Sequence, residues 1–80
     1  MKKINMVITH SNSLKAGCSV TDEVKYRNMD LAVQALNSLV YENKYVEVVD
    51  IKIIKSFISI KIQHTIHPEV TKTIKLINID

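Results

Sequence analysis

The C-terminal half of the chain, from Tyr45 to Ile79, consists largely of isoleucine, valine and lysine, and its apolar residues mostly alternate with polar ones. Ten isoleucines fall between Ile51 and Ile79. A period of two places successive side chains on opposite faces of a strand, and β-branched residues favour strands. The pattern therefore predicts consecutive antiparallel strands with one buried face.

Four strands are predicted in this way. They run from Lys3 to His10, Tyr45 to Lys55, Phe57 to Ile66 and Val70 to Ile79. The alternation slips at Val48-Val49 and again at Leu76-Ile77, which indicates either a bulge or a strand that is apolar on both sides. Only Lys55-Ser56 separates the second strand from the third, so a tight hairpin is expected there, and His67-Pro68-Glu69 predicts the next turn.

One segment, Met29 to Tyr41, has the spacing of an amphipathic helix. Asn28 is the predicted N-cap, Asp30 suits the positive end of the helix dipole, and Asn43 is suited to a left-handed C-terminal turn. The side opposite the apolar stripe carries uncharged polar residues where a solvated helix usually carries Lys and Glu. This composition predicts that the helix is covered on more than one side.

These elements predict an α+β fold in a single domain, residues 1–80: an antiparallel sheet of about four strands with one helix packed on it, in the order β-α-β-β-β. Two structures are compatible with the polar stretch 11–28. It contains a short strand, within Leu14 to Val20 or Asp22 to Tyr26, or it is a functional loop. The predicted core consists of Ile4, Met6, Ile8, Val33, Leu36, Leu39, Val40, Val49, Ile51, Ile58, Ile60 and Ile62.

The apolar content of the chain predicts a homo-oligomer. Apolar residues make up 46% of 80 residues, more than so small a domain can cover with its own core. No run is long and apolar enough to span a membrane, no secretory signal opens the chain, and the one cysteine excludes an intrachain disulfide. A cytoplasmic protein without membrane contact is expected. The heavy use of Ile, Asn and Lys is typical of a low-GC bacterium or its phage.

The residues with reactive side chains give no metal site or catalytic centre. His64 and His67 are three residues apart, with His10 and Cys18 elsewhere, but no fourth ligand has an obvious position. We interpret His64 as a hydrogen-bonded histidine at a strand end and His67 as an exposed one before proline. The nearby cation of Lys15 would favour the thiolate form of Cys18, but the sequence shows no general base beside Cys18. We therefore expect no enzyme, no metal and no cofactor.

The polar loop is the best candidate for a binding site in the sequence. Lys15 and Arg27 supply cations, Cys18 a backbone amide and His10 a titratable contact, and together they are predicted to hold a small anionic, nucleotide-like ligand. Nucleic acid is not favoured, because the net charge of +3 comes with a single arginine and no aromatic residue among the strand lysines.

The function predicted from these features is that of a non-catalytic small oligomeric binding protein. It sequesters the anionic ligand or masks a host protein. A purely structural or assembly module without ligand is the alternative, and a small nucleic-acid-binding protein is the third possibility.

Two resemblances to known families involve the helix and the second predicted strand. The helix from Asp30 through Ala35 to Leu39, followed by Val46-Glu47-Val48-Val49-Asp50-Ile51-Lys52, resembles a small sporulation-associated protein family of Gram-positive bacteria and their phages, with its "V-x-D-I-K" strand. The resemblance covers Asp30 to Ile62 and departs from the family at Ile53, where the family tends to have an aromatic residue.

Ala32-Val33-Gln34-Ala35 and Val46-Glu47-Val48-Val49 also resemble the helix and strand of dodecin, a flavin-storing oligomer. The aromatic residue that stacks on flavin is missing from the second and third strands, apart from Phe57 in the hairpin turn, so flavin binding is not carried over. Both resemblances imply a curved sheet packed on one helix and assembled from several copies.

Overall fold

The computed structural model describes residues 3–14, 19–55 and 57–78. These residues form one helix and a five-stranded antiparallel sheet, so the predicted α+β class is confirmed. The elements are β1 (Ile4–Asn12), β2 (Ser19–Tyr26), α1 (Met29–Val40), β3 (Val46–Ile54), β4 (Phe57–His64) and β5 (Val70–Asn78). The strands lie side by side in the order β2-β1-β5-β4-β3.

The prediction of about four strands in the order β-α-β-β-β is one strand short, because the polar stretch contains β2, the strand that was one of the two alternatives for it. This strand pairs with β1 along its whole length, from Ser19 opposite Ser11 to Tyr26 opposite Ile4. Seven of its eight residues are exposed, since it lies at an edge of the sheet and α1 covers little of it. Its inner face carries Val20, Val24 and Tyr26, but Asp22 interrupts the apolar alternation by which the other strands were predicted.

The strand register divides the sheet into an inner face, which packs against α1, and an outer face. The inner face is apolar at its centre and carries Ile4, Met6, Ile8, Ile60, Ile62, Ile74 and Leu76. β2 ends beside Ile4, and β3 begins beside His64 at the other end of the sheet. α1 joins these two points and so crosses the inner face diagonally from one edge of the sheet to the other.

The predicted core is confirmed at its centre. Ile4, Met6, Leu36, Val40, Ile60 and Ile62 are buried, and Ile8, Leu39 and Ile58 pack partly buried against them. The prediction is wrong for Val33, Val49 and Ile51, which are exposed, and it misses Ala32, Ile74 and Leu76, which are buried. A helix of 12 residues is only about 18 Å long, so a diagonal α1 leaves two corners of the inner face uncovered.

Both tight connections in the C-terminal half are confirmed. Ile54 pairs directly with Phe57, which leaves only two residues for the hairpin between β3 and β4. The amide of Val70 donates to the carbonyl of His67 at 2.9 Å and closes the turn before β5. The register of β3 shifts between Val48 and Asp50, so the bulge is confirmed as well.

At the second slip, Leu76-Ile77, the structure has the alternative without a bulge. β5 keeps one register along both of its neighbours, with Leu76 on the inner face and Ile77 beside Phe57 on the outer face. Here two adjacent apolar residues mean that both faces of the strand carry an apolar side chain, and no residue is inserted.

The ends of α1 follow the predicted capping at Asn28, whose Oδ1 accepts the amide of Leu31 at 3.0 Å. At the other end the amides of Tyr41 and Glu42 both donate to the carbonyl of Asn37. Asn43 accepts the amide of Tyr45 at 3.0 Å through its side chain. No helix in the described part of the chain has the length and apolarity needed to cross a membrane.

Candidate functional site

The four predicted ligand-binding residues do not all fall within the described structure. Lys15 and Cys18 lie outside the described residues. His10 lies on the inner face near the end of β1, whereas Arg27 follows the last residue of β2, which pairs with Ile4. Six strand residues between these positions correspond to about 20 Å. The structure therefore does not bring His10 and Arg27 together.

His10 already has a partner. Its Nε2 lies 3.0 Å from Oδ2 of Asp22 on the neighbouring strand, and Lys72 stands opposite it on β5. The carboxylate occupies one ring nitrogen and adds a negative charge to this corner of the sheet. An anionic ligand would have to approach His10 and Lys72 against that charge.

His64 fixes the turn between β4 and β5, as the sequence interpretation had it. Its Nδ1 accepts the amides of Ile66 and His67 at 3.1 and 3.0 Å, while its ring is stacked on Tyr45 with 6.3 Å between the centroids. The carbonyl of Tyr45 in turn accepts the amide of Thr65 at 2.9 Å. The His67 side chain is exposed, so both interpretations of these histidines are confirmed.

This geometry predicts the tautomer of His64. A nitrogen that accepts two amide hydrogens carries no proton, so the neutral ring must hold its proton on Nε2. Nitrogen chemical shifts of the neutral imidazole are therefore expected to show the Nε2–H form for His64. A protonated Nδ1 in the neutral ring would contradict the two hydrogen bonds that close this turn.

The described residues enclose no pocket. They also bring together no group of three or more His, Cys, Asp or Glu side chains that could hold a metal ion.

The most exposed stretch of apolar side chains in the described part of the chain lies on β3. Ile53 is 72% exposed, Ile54 53%, Val49 49% and Ile51 47%. Ile51 and Ile53 stand on the inner face, in the corner that α1 does not reach, and Ile54 stands on the outer face beside Phe57. The strand thus exposes apolar side chains on its inner face and, at Ile54, on its outer face as well.

β3 is also an edge strand, so one row of its backbone N–H and C=O groups has no partner strand in the sheet. The other edge strand, β2, is exposed too, but it is rich in Ser, Thr, Asp, Glu and Lys. Natural edges are commonly protected by charges, short strands or bulges. β3 has nine residues, and its bulge protects only the first half of it.

The charged side chains of β3 all lie on the outer face. Glu47 stands beside Gln63, Asp50 beside Lys61 and Lys52 beside Ser59. The inner face of β3 carries only valine and isoleucine. The second half of the strand therefore offers an apolar inner side, an unpaired backbone edge and an acidic and a basic residue two positions apart. We call the segment Val49–Ile54 the open edge.

Sequence reasoning described the residues of the open edge but assigned them another role. Val49 and Ile51 were predicted to lie in the core because they continue an apolar pattern. The pattern does not reveal that β3 ends up at the edge of the sheet, since that depends on the pairing of β1 with β5. The double-sided apolar character of the strand was the one available signal of an exposed surface.

Comparison with known proteins gives no match to a protein-family model, to a curated protein or to a solved structure. The resemblances to the sporulation-associated family and to dodecin therefore stay hypotheses.

Proposed function

We propose that this protein is a non-catalytic binding protein that associates with another protein chain by adding a strand to the open edge. The observation that carries the proposal is the exposure of four Val and Ile side chains on β3, an edge strand that has a partner strand on one side only. An incoming strand would satisfy the free backbone groups and cover the apolar side chains at the same time. This is the assembly or masking activity expected from the apolar composition.

Burial of the open edge would be strongly favourable. Removing apolar surface from water contributes roughly 25 cal/mol per Å². An isoleucine as exposed as Ile53 therefore has much to gain from a partner, whereas a lone exposed apolar residue on a monomer needs no explanation. What distinguishes this site is that several exposed apolar side chains lie on one strand, beside a backbone edge that has no partner strand.

The small anionic ligand receives less support than protein association. Of its four predicted residues, His10 is paired with Asp22 and Arg27 lies at the opposite end of the β1–β2 hairpin. Nucleic-acid binding is also less favoured, because the lysines of the outer face are interspersed with acidic residues. These lysines are Lys25, Lys52, Lys61 and Lys75, and the acids are Glu23, Glu47 and Asp50.

Site-specific photo-crosslinking in the cells that express the protein tests this function. A photoreactive residue replaces Ile53 on the open edge or, as the matched control, Val20, which is 60% exposed on the opposite edge strand. We expect defined protein adducts from position 53 and few from position 20. Equal yields at the two positions, or none at position 53, would refute the proposal.

A further inference from the structure

We infer that the strand that pairs with the open edge is β3 of a second copy of this chain, antiparallel and centred on Ile51. The inference rests on the proposed function and names its partner. Two observations lead to it: the apolar side chains of the segment, and the placement of Asp50 and Lys52 on either side of Ile51.

Symmetry determines which residues would meet. Two identical strands pair antiparallel about a twofold axis that is normal to the sheet, which keeps the inner faces of both copies on the same side. With Ile51 opposite Ile51 of the second copy, Asp50 stands opposite Lys52 of the second copy, on the outer face. The twofold axis repeats this ion pair, so the interface contains it twice.

The charges select this register over its neighbours. Centring the pair one residue earlier sets Asp50 against Asp50, and centring it one residue later sets Lys52 against Lys52. Like charges directly opposite each other in a sheet are destabilising. Centring on Ile53 pairs Lys52 with Ile54 and forms no ion pair. A centre between two residues would set inner-face side chains against outer-face ones.

The apolar side chains fit the same register. Ile53 of one copy comes opposite Val49, the bulge residue, of the other, and both are exposed in the single chain. On the inner face, Ile60 stands beside Ile51 in each copy and Ile51 meets Ile51 of the other copy, so the apolar row continues across the interface. The product is a continuous sheet of ten strands, five from each copy, with both helices on one face.

A charge exchange between two variants tests the register directly. The Asp50→Lys chain has two lysines on this segment, and the Lys52→Asp chain has two aspartates. Each variant alone sets like charges opposite each other twice, so we expect its dimer dissociation constant to rise at least tenfold. Mixed together, the two chains restore both opposite-charge pairs and should form a one-to-one heterodimer. Native mass spectrometry and sedimentation at low ionic strength measure this.

Two controls separate the register from general effects of charge or folding. Glu23→Lys and Lys25→Asp make the same kinds of charge change on the outer face of β2. Each should dimerise with the dissociation constant of the wild-type chain. The double variant Asp50→Lys/Lys52→Asp should dimerise with itself. Circular dichroism checks that each chain is folded.

Particular results would overturn the inference. One is a wild-type chain that stays near 9.1 kDa at high micromolar concentration. Another is the combination of two negative results: the Asp50→Lys and Lys52→Asp chains form no heterodimer when mixed, and the double variant does not dimerise with itself. If crosslinks from position 53 then reach a different protein, the proposed function stands and only its assignment to a second copy fails.

Discussion

Replacing Ile74 by alanine is expected to lower the free energy of unfolding by about 2–5 kcal/mol. Ile74 is 1% exposed and lies on β5, the central strand of the sheet, between Ile8 on β1 and Ile60 on β4. Its truncation removes apolar contacts on both sides and leaves a cavity under α1. Urea unfolding followed by circular dichroism, at a concentration where the chain is monomeric, measures the loss.

Ile53→Ala is the matched control for this prediction. It makes the same chemical change in another strand, at a side chain that is 72% exposed. The loss in monomer stability should therefore stay within about 1 kcal/mol, the range of strand propensity. A loss at Ile53 as large as that at Ile74 would mean that β3 is packed inside the monomer and is not an open edge.

The contrast between these two isoleucines shows how far the sequence predicts the fold. Alternation correctly assigned Ile4, Met6 and Ile8 to one face of β1, and Ile60 and Ile62 to one face of β4. Alternation reports the face of a strand, because side-chain direction is a local property of the backbone. It does not report which part of that face another element covers.

Coverage depends on contacts between distant parts of the chain. β1 pairs with β5 across more than half of the chain length, and this pairing places β3 at one edge and β2 at the other. Ile51 was expected in the core for its pattern, yet it lies beyond the reach of α1. Ile74 was not among the expected core residues, although it alternates with Thr73 and Lys75 and lies on the central strand.

The candidate site was predictable only in part for the same reason. The slip at Val48-Val49 indicates either a bulge or a strand apolar on both sides. The structure contains the bulge, and Ile54 lies on an outer face that also carries Glu47, Asp50 and Lys52. The apolar excess of the chain predicted association, but not its location. The polar stretch was predicted to be a binding loop, yet it contains the edge strand β2, whose apolar alternation is interrupted by Asp22.

Ile53→Asp is expected to raise the dissociation constant of the homodimer at least 100-fold. Burying an isoleucine side chain contributes roughly 1.5–3 kcal/mol, and the twofold axis places two of them in the interface. About 2.7 kcal/mol corresponds to 100-fold in affinity. The introduced carboxylates would in addition be partly desolvated beside Val49 of the opposite copy. Sedimentation over a concentration series measures the effect.

Val20→Asp is the control for that variant, since it places the same charge at an exposed apolar position on the other edge strand. It should leave the dissociation constant within a few-fold of the wild-type value. Equal weakening by the two variants would indicate an unspecific effect of negative charge, and weakening by Val20→Asp alone would place the interface on β2. Because Ile53 is mostly exposed in the monomer, its variant should still fold, so a lost dimer with retained circular dichroism assigns the effect to the open edge.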